Sequence, residues 1–93
     1  NIAMKFLSSS LKYFYLGNYY LALEDIKQAQ KYLPKLAYTY AREGSIYYKL
    51  GNLQQATMNW NIALQLDPEY KEVREMLSNV KKEELINQSS DVN

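Results

Sequence analysis

The sequence repeats itself with a period of 34 residues. Gly17 recurs as Gly51, and the same offset relates further pairs of identical residues: Ala3 and Ala37, Tyr13 and Tyr47, Leu16 and Leu50, Asn18 and Asn52, Ala22 and Ala56, Ala29 and Ala63, and Pro34 and Pro68. A fixed period of this length, with two helical patterns per unit, is typical of helical-repeat proteins, in which each unit packs on its neighbours. We therefore expect an all-α solenoid of tandem helix-turn-helix repeats, an alpha-alpha superhelix.

Apolar residues recur at helical spacing in five segments, which predict helices over residues 2–16, 19–33, 36–50, 53–66 and 68–86. Gly17 and Gly51 suit the left-handed conformation that commonly follows a helix. Asp67 and Pro68 suit the start of the fifth helix, as cap and first-turn residue. The polar stretch from residue 87 to residue 93 is expected to be disordered.

Several residues are expected in the core. Trp60 is the largest apolar side chain on the inward face of the fourth helix, and its indole N–H needs a partner. Gly44 costs a helix about 1 kcal/mol relative to alanine, so we expect a neighbouring helix that leaves no room for a Cβ. Tyr13, Tyr40 and Tyr47 are also assigned to the core.

These residues follow a known pattern. Tetratricopeptide repeats carry Trp, Leu, Gly and Tyr in the first helix, and then Ala, Phe and Pro. The second unit offers Tyr40, Glu43, Gly44, Tyr47, Ala56, Trp60 and Pro68, and the first offers Phe6, Ser9, Ser10, Tyr13, Ala22, Ile26 and Pro34. The chain therefore resembles the tetratricopeptide-repeat (TPR) family over residues 3–70, and the following helix extends the resemblance to about residue 86. It departs from the pattern at Ser9 and Glu43, where the family prefers Leu.

The resemblance implies one domain over residues 1–86. It comprises repeat 1 (about 3–36), repeat 2 (about 37–70) and a capping helix (about 68–86) that is apolar on one side and charged on the other. The predicted tail, residues 87–93, follows it. Asn1 lies at the start of a predicted helix, which suggests that the sequence is a piece of a longer protein.

Composition argues against several classes of function. The chain has no histidine and no cysteine, and its three glycines are accounted for by turns and close packing rather than by a phosphate-binding loop. We expect no enzyme activity, no cofactor and no metal. The net charge is +1 and the basic residues are scattered, so a nucleic-acid partner is not expected. No apolar run approaches the ~20 residues that span a bilayer, so membrane insertion is not expected.

Binding of a protein partner is the function that the resemblance implies. In the family, the first helix of each repeat lines a concave groove, and a peptide or helical segment binds there. The groove positions carried over to this sequence are Met4, Leu7, Leu11, Phe14, Tyr15, Tyr38, Arg42, Ser45, Tyr48, Lys49 and Asn79. Leu7, Leu11, Ala41 and Ser45 stand where a subset of the family places polar residues that clamp a terminal carboxylate, so such a clamp is not expected.

Three tyrosines carry the main expectation about binding. Tyr15, Tyr38 and Tyr48 fall on the face opposite the core stripe, and tyrosine supplies a large contact area at low entropic cost. Arg42 and Lys49 are expected to reach an acidic side chain of the bound segment.

A structural role is the alternative function. Leu7, Leu11 and Phe14 form a second apolar stripe on the first helix. If this stripe is exposed, the chain is a scaffold that stacks on further repeats or self-associates into a homo-oligomer through that helix.

Overall fold

Five helices make up the fold. The computed structural model describes residues 1–91, and the side chains of residues 1–88. In this part of the chain the helices are α1 (Ile2–Tyr15), α2 (Tyr19–Tyr32), α3 (Ala37–Lys49), α4 (Leu53–Leu66) and α5 (Lys71–Asp91), and there is no strand. The fold is 83% helical, which confirms the predicted all-α class. α1 packs on α2 and α3 on α4 as hairpins, while α2 contacts α3 and α4 contacts α5.

The first four helices begin and end within one residue of their predicted bounds. The small differences arise because the predicted ranges included capping residues, which are the C-caps Leu16, Leu33 and Leu50 and the N-cap Leu36. The apolar periodicity therefore located both hairpins correctly.

The prediction for the start of α5 was wrong by three residues. Asp67 and Pro68 belong to a turn, in which the Tyr70 N–H donates to the Asp67 carbonyl at 3.1 Å and the Asp67 carboxylate accepts from the Glu69 N–H at 3.1 Å. The same turn joins α2 to α3, where the Leu36 N–H donates to the Leu33 carbonyl at 3.2 Å. Proline is favoured at the second position of such a turn, which explains why both prolines precede their helices instead of opening them.

The prediction for the end of α5 was also wrong. The helix continues to Asp91 rather than ending at Ile86, so residues 87–91 of the predicted disordered tail are helical. No glycine or proline follows Pro68 in the chain, and once a helix is nucleated each further residue adds one hydrogen bond at little cost. The last two residues of that tail lie outside the described residues.

The 34-residue period is visible in the two hairpin turns. Gly17 and Gly51 have φ angles of +80° and +81°, the left-handed region that glycine adopts without strain. After each glycine, the asparagine N–H bonds back to a tyrosine carbonyl at 2.9 Å, Asn18 to Tyr13 and Asn52 to Tyr47. This is the Schellman arrangement, which satisfies carbonyls that a helix end leaves unpaired. The two turns are thus equivalent in hydrogen bonding as well as in sequence.

The period also governs burial. Positions 34 residues apart are buried in both hairpins, and these pairs are Ala3 and Ala37, Ser10 and Gly44, Ala22 and Ala56, Ile26 and Trp60, and Ala29 and Ala63. Small residues dominate the set because the two helices of a hairpin approach each other closely. The three tyrosines assigned to the core are half-buried and pack against the two clusters, Tyr13 in the first hairpin and Tyr40 and Tyr47 in the second.

Trp60 and Gly44 form one packing unit. Trp60 is 2% exposed, and its indole N–H donates to the Ala41 carbonyl at 3.2 Å. A Cβ built on Gly44 would lie only 2.5 Å from Trp60 Nε1 and 3.0 Å from the Ala56 carbonyl oxygen. Both expectations, a buried tryptophan and a glycine forced by a neighbouring helix, are confirmed.

Glu43, a departure from the family pattern, is buried without losing its hydrogen bonding. It is 7% exposed, and its carboxylate accepts from the Gln30 side-chain amide at 2.6 Å. A buried charge is costly unless such a partner is present. The polar contact therefore holds α3 against α2 at a position where the family uses an apolar one.

Helix α5 continues the 34-residue register and takes the place of the first helix of a third repeat. It begins 34 residues after Ala37, and its buried or half-buried positions Val73, Leu77 and Val80 correspond to Thr39, Glu43 and Ile46 of α3. The face by which α3 packs on α4 is different in α5, because Arg74, Ser78 and Lys81 replace Tyr40, Gly44 and Tyr47 and are exposed. α5 thus meets the preceding hairpin with an apolar face and meets solvent with a polar one.

Candidate functional site

The candidate site is a groove between α3 and α5. Two open cavities lie along it, and both are lined by Ser45 and Met76, so they adjoin. We call them cavity A, near the C-terminal end of α3, and cavity B, near its N-terminal end. Together they form the α3/α5 groove.

Cavity A has a volume of about 280 Å³ and is mainly aromatic and apolar. One wall residue, Phe14, comes from α1, and the others come from α3, α4 and α5. They are Ser45, Tyr48, Lys49, Trp60, Met76, Asn79, Val80 and Glu83.

The repeat register explains why cavity A is open. Between α1 and α3, the guanidinium of Arg42 lies over the Phe14 ring, 4.6 Å from its centroid. Between α3 and α5, the residues at the corresponding positions are Tyr48 and Met76. A thioether chain lacks the planar head with which Arg42 covers Phe14. The space that Arg42 occupies in the first repeat is therefore left as a cavity in the second.

Tyr48 forms the central wall of cavity A. Its ring centroid lies 5.9 Å from that of Trp60 at an interplanar angle of 38°, and its hydroxyl lies 3.4 Å from a carboxylate oxygen of Glu83. Contact with a buried indole limits the rotamers of the tyrosine, yet 38% of the residue stays exposed. A large side chain is thus held in place and presented to the groove.

Cavity B has a volume of about 320 Å³ and is more polar. Its lining combines two tyrosines with one cation and one anion, and it consists of Tyr38, Ala41, Arg42, Ser45, Tyr70, Glu72 and Met76. Arg42 is held against Phe14, and its Nη2 is shielded from solvent without a hydrogen-bond partner among the described residues. A buried, unpaired donor on a charged group is unfavourable, which makes Arg42 the polar group in the groove that most lacks a partner.

One tyrosine hydroxyl in cavity B has a perturbed pKa. Burial raises the pKa of Tyr70, and Tyr38 and Glu72 raise it further, while Arg42 acts in the opposite direction. A phenol is protonated at neutral pH even without such a shift, so the Tyr70 hydroxyl can act as a hydrogen-bond donor.

The structure brings together seven of the eleven predicted groove residues. Tyr38 and Arg42 line cavity B, and Ser45 lines both cavities. The remaining four line cavity A, and they are Phe14, Tyr48, Lys49 and Asn79.

Four of the predicted groove residues line neither cavity. Met4 is 54% exposed and Tyr15 is 75% exposed, Leu11 is half-buried, and Leu7 packs against the first-hairpin cluster. The contribution of α1 to the two cavities is therefore reduced to Phe14.

The second apolar stripe on α1 is partly covered within the fold, and the alternative function that depends on it stays a prediction. Leu7, Leu11 and Phe14 are all half-buried, and Leu7 and Phe14 pack against the cluster that contains Ile26 and Ile46. The stripe is used within the fold, where α3 and α2 cover part of it.

Of the α5 residues that line the groove, the sequence predicted only Asn79, and the turn before α5 was not predicted to contribute. Met76, Val80 and Glu83 line cavity A, and Tyr70 and Glu72 line cavity B. The signal was present in the register, because Glu83 lies 34 residues after Lys49 and Met76 lies 34 residues after Arg42. Following the period into the fifth helix would have placed these residues in the groove.

In the described part of the chain, no three His, Cys, Asp or Glu side chains are grouped so that they could hold a metal ion. Among the described helices, none has the length and apolar character needed to cross a membrane. No protein-family model matches the chain, and no curated protein matches it significantly. The TPR resemblance therefore depends on the residue pattern and the hairpin packing.

Proposed function

We propose that this chain is a non-enzymatic, TPR-type protein-interaction module that binds a segment of a partner protein in the α3/α5 groove. The observation that supports this most is the pair of adjoining cavities, which share Ser45 and Met76 and are walled by partly exposed aromatic side chains. Pockets that are mostly apolar and contain a few convergent polar groups are where proteins usually bind ligands.

The shape of the groove favours a segment of chain over a broad protein surface. Each cavity has the volume needed for one or two side chains, about 280 and 320 Å³, and the two lie side by side along α3. A segment can place successive side chains in both cavities, as peptides do in grooves of helical proteins.

Tyr38 and Tyr48 are the expected anchors of binding. Each is 38% exposed, so each keeps contact area for a partner while the rest of the ring packs within the fold. A side chain that is already partly immobilised loses little entropy on binding. Buried aromatic anchors of this kind account for most of the energy in many interfaces.

The test is a binding measurement on groove variants. Random dodecapeptides displayed on phage are selected on the immobilised protein, and the affinity of the most enriched peptide is then measured by fluorescence anisotropy. Changing Tyr38 and Tyr48 together to Ala is expected to weaken the binding of that peptide by about 2 kcal/mol or more, which raises its Kd roughly thirtyfold. Circular dichroism checks that the double variant keeps its helicity.

Two single variants are the controls. Tyr20→Ala removes a tyrosine that is 77% exposed on α2, and Tyr15→Ala removes one that is 75% exposed on α1. Neither residue lines the groove, so both variants are expected to keep the affinity within about twofold. Full affinity in the folded double variant, or a loss caused by Tyr20→Ala instead, would contradict the groove as the binding site.

A further inference from the structure

We propose that the bound segment carries an acidic side chain, which pairs with Arg42 in cavity B, and an apolar side chain about three residues away, which fills cavity A. This inference rests on the proposed function and deepens it, because it names the chemistry of the partner. It commits to an internal Asp or Glu side chain as the acidic group.

Arg42 is a permanent positive charge in the lining of cavity B. A guanidinium cannot lose its proton in a protein, so Arg42 remains charged even where its Nη2 is shielded from solvent and has no hydrogen-bond partner in the described part of the chain. Contact with the Phe14 ring, 4.6 Å away, offsets part of the cost and fixes the plane of the group. Arg42 is only partly buried, so a carboxylate in cavity B can pair with the N–H groups of this planar head other than the shielded Nη2.

The hydroxyl groups around Arg42 support the same ligand. Tyr38 and Tyr70 line cavity B beside it, and a phenol hydroxyl can donate a hydrogen bond at neutral pH. Donors from Tyr and Arg that line one space suit an acceptor such as a carboxylate. A lysine or arginine side chain would meet the Arg42 charge, and the two tyrosine hydroxyls would be its only acceptors among these three groups.

Glu72 is the lining residue that opposes an acidic ligand. It is exposed and lies in the first turn of α5, where the helix dipole favours a negative charge. It therefore has a structural reason to be there that is separate from binding. Its position allows a test, because removing the charge of Glu72 must raise the affinity for an acidic ligand and lower the affinity for a basic one.

Cavity A selects for an apolar side chain. Phe14, Tyr48, Trp60, Met76 and Val80 form most of its walls. The residues of α3 that line the two cavities are centred about six positions apart, which at 1.5 Å per residue is roughly 9 Å. An extended chain covers that distance in about three residues at ~3.3 Å each.

The experiment uses the selected dodecapeptides as probes. The display fuses their C-termini to the coat protein, so enrichment reports internal residues. The expected result is enrichment of Asp or Glu three positions from a large apolar residue. The most enriched peptide is then synthesised in its original form, with its acidic residue changed to the amide, and with free and amidated C-termini.

Affinities are measured on the whole chain and on three variants. Arg42→Gln is expected to lower the affinity for the acidic peptide at least tenfold and to leave the affinity for the amide peptide unchanged within about twofold. Glu72→Gln is expected to strengthen the acidic peptide. Lys31→Gln, which removes a positive charge from the exposed surface of α2, is the charge-matched control. It is expected to leave the affinity for the acidic peptide unchanged, because salt screens an exposed charge outside the groove.

Each other outcome has a definite meaning. If Arg42→Gln fails to fold, the loss on changing the peptide's acid to its amide tests the pairing on the unaltered protein. Two results would overturn the inference and leave the proposed function standing. One is that peptides whose binding depends on Tyr38 and Tyr48 lack an acidic residue, and the other is that Glu72→Gln lowers their affinity. A loss caused only by C-terminal amidation would assign the carboxylate to a chain end and overturn the side-chain assignment. Peptides indifferent to the Tyr38 and Tyr48 changes, or no enrichment, would overturn both.

Discussion

At the scale of single residues, the second hairpin is built around one close contact. Trp60 fills the space between α3 and α4, and Gly44 is the position on α3 that allows the ring to lie there. The first hairpin solves the same problem with smaller groups. Ile26 replaces the indole, and Ser10 replaces the glycine, with its hydroxyl donating to the Ala22 carbonyl at 2.8 Å.

This contact predicts the sign of a substitution. Helix propensity alone would make Gly44→Ala stabilising by about 1 kcal/mol. Overpacking against Trp60 costs about 1–3 kcal/mol, so we expect the variant to be less stable by up to about 2 kcal/mol, with a lower melting temperature. Ser78→Ala, at the corresponding exposed position of α5, is the control and should be neutral or slightly stabilising. A Gly44→Ala protein that melts higher than the parent would show that the ring has room to move.

At the scale of the helix, α5 has two parts with different surroundings. Its first half packs through Val73, Met76, Leu77 and Val80 on the second hairpin. From residue 81 to residue 88 every side chain is exposed, including Leu85 at 55%. The second half is therefore a helix by local hydrogen bonding more than by packing, and Glu83 is the part of it that reaches the groove.

This division predicts the effect of a truncation. Deleting residues 87–93 removes two exposed side chains, Asn87 and Gln88, and none of the lining residues of either cavity, so we expect the melting temperature to stay within about a degree or two. The far-ultraviolet circular dichroism should fall in proportion to the helical residues removed. A clear drop in melting temperature would mean that the end of the chain packs on the fold.

The sequence predicted the helices better than it predicted the site, and the reason is physical. Apolar spacing and the glycine turns are local signals, so both hairpins and the buried Trp60 were identified. The start of α5 was misplaced because Asp-Pro is compatible both with a helix cap and with the turn that forms. The groove depends on contacts between distant segments, such as Arg42 with Phe14. No local sequence pattern shows that this contact fills the space between α1 and α3 while the corresponding space between α3 and α5 stays open.

At the scale of the whole molecule, the chain forms an elongated stack, 53 × 29 × 16 Å in extent. The face by which α3 packs on the preceding hairpin carries Thr39, Glu43 and Ile46, whereas the corresponding positions of α1 are Lys5, Ser9 and Lys12. Both lysines are exposed. A surface with two lysines is poorly suited to burial against another apolar hairpin.

We therefore expect this chain to be a monomer without its partner. Sedimentation equilibrium over a wide range of concentrations should give the mass of a single chain, 10.9 kDa. A dimer would support the alternative function, in which the chain is a scaffold that self-associates. In that case Leu11→Gln, which alters the half-buried stripe of α1, would show whether that helix forms the contact.

The central claim is that a partner segment lies in the α3/α5 groove, and a nuclear magnetic resonance titration with the most enriched dodecapeptide tests it most directly. We predict that the largest changes in backbone amide shifts fall on α3 and α5, around Ser45, Tyr48, Met76 and Asn79, which line cavity A. Amides on the outer surface of the hairpins, near Tyr20 and Met58, should change little. Changes concentrated on α2 and α4, with α3 and α5 unaffected, would contradict the account.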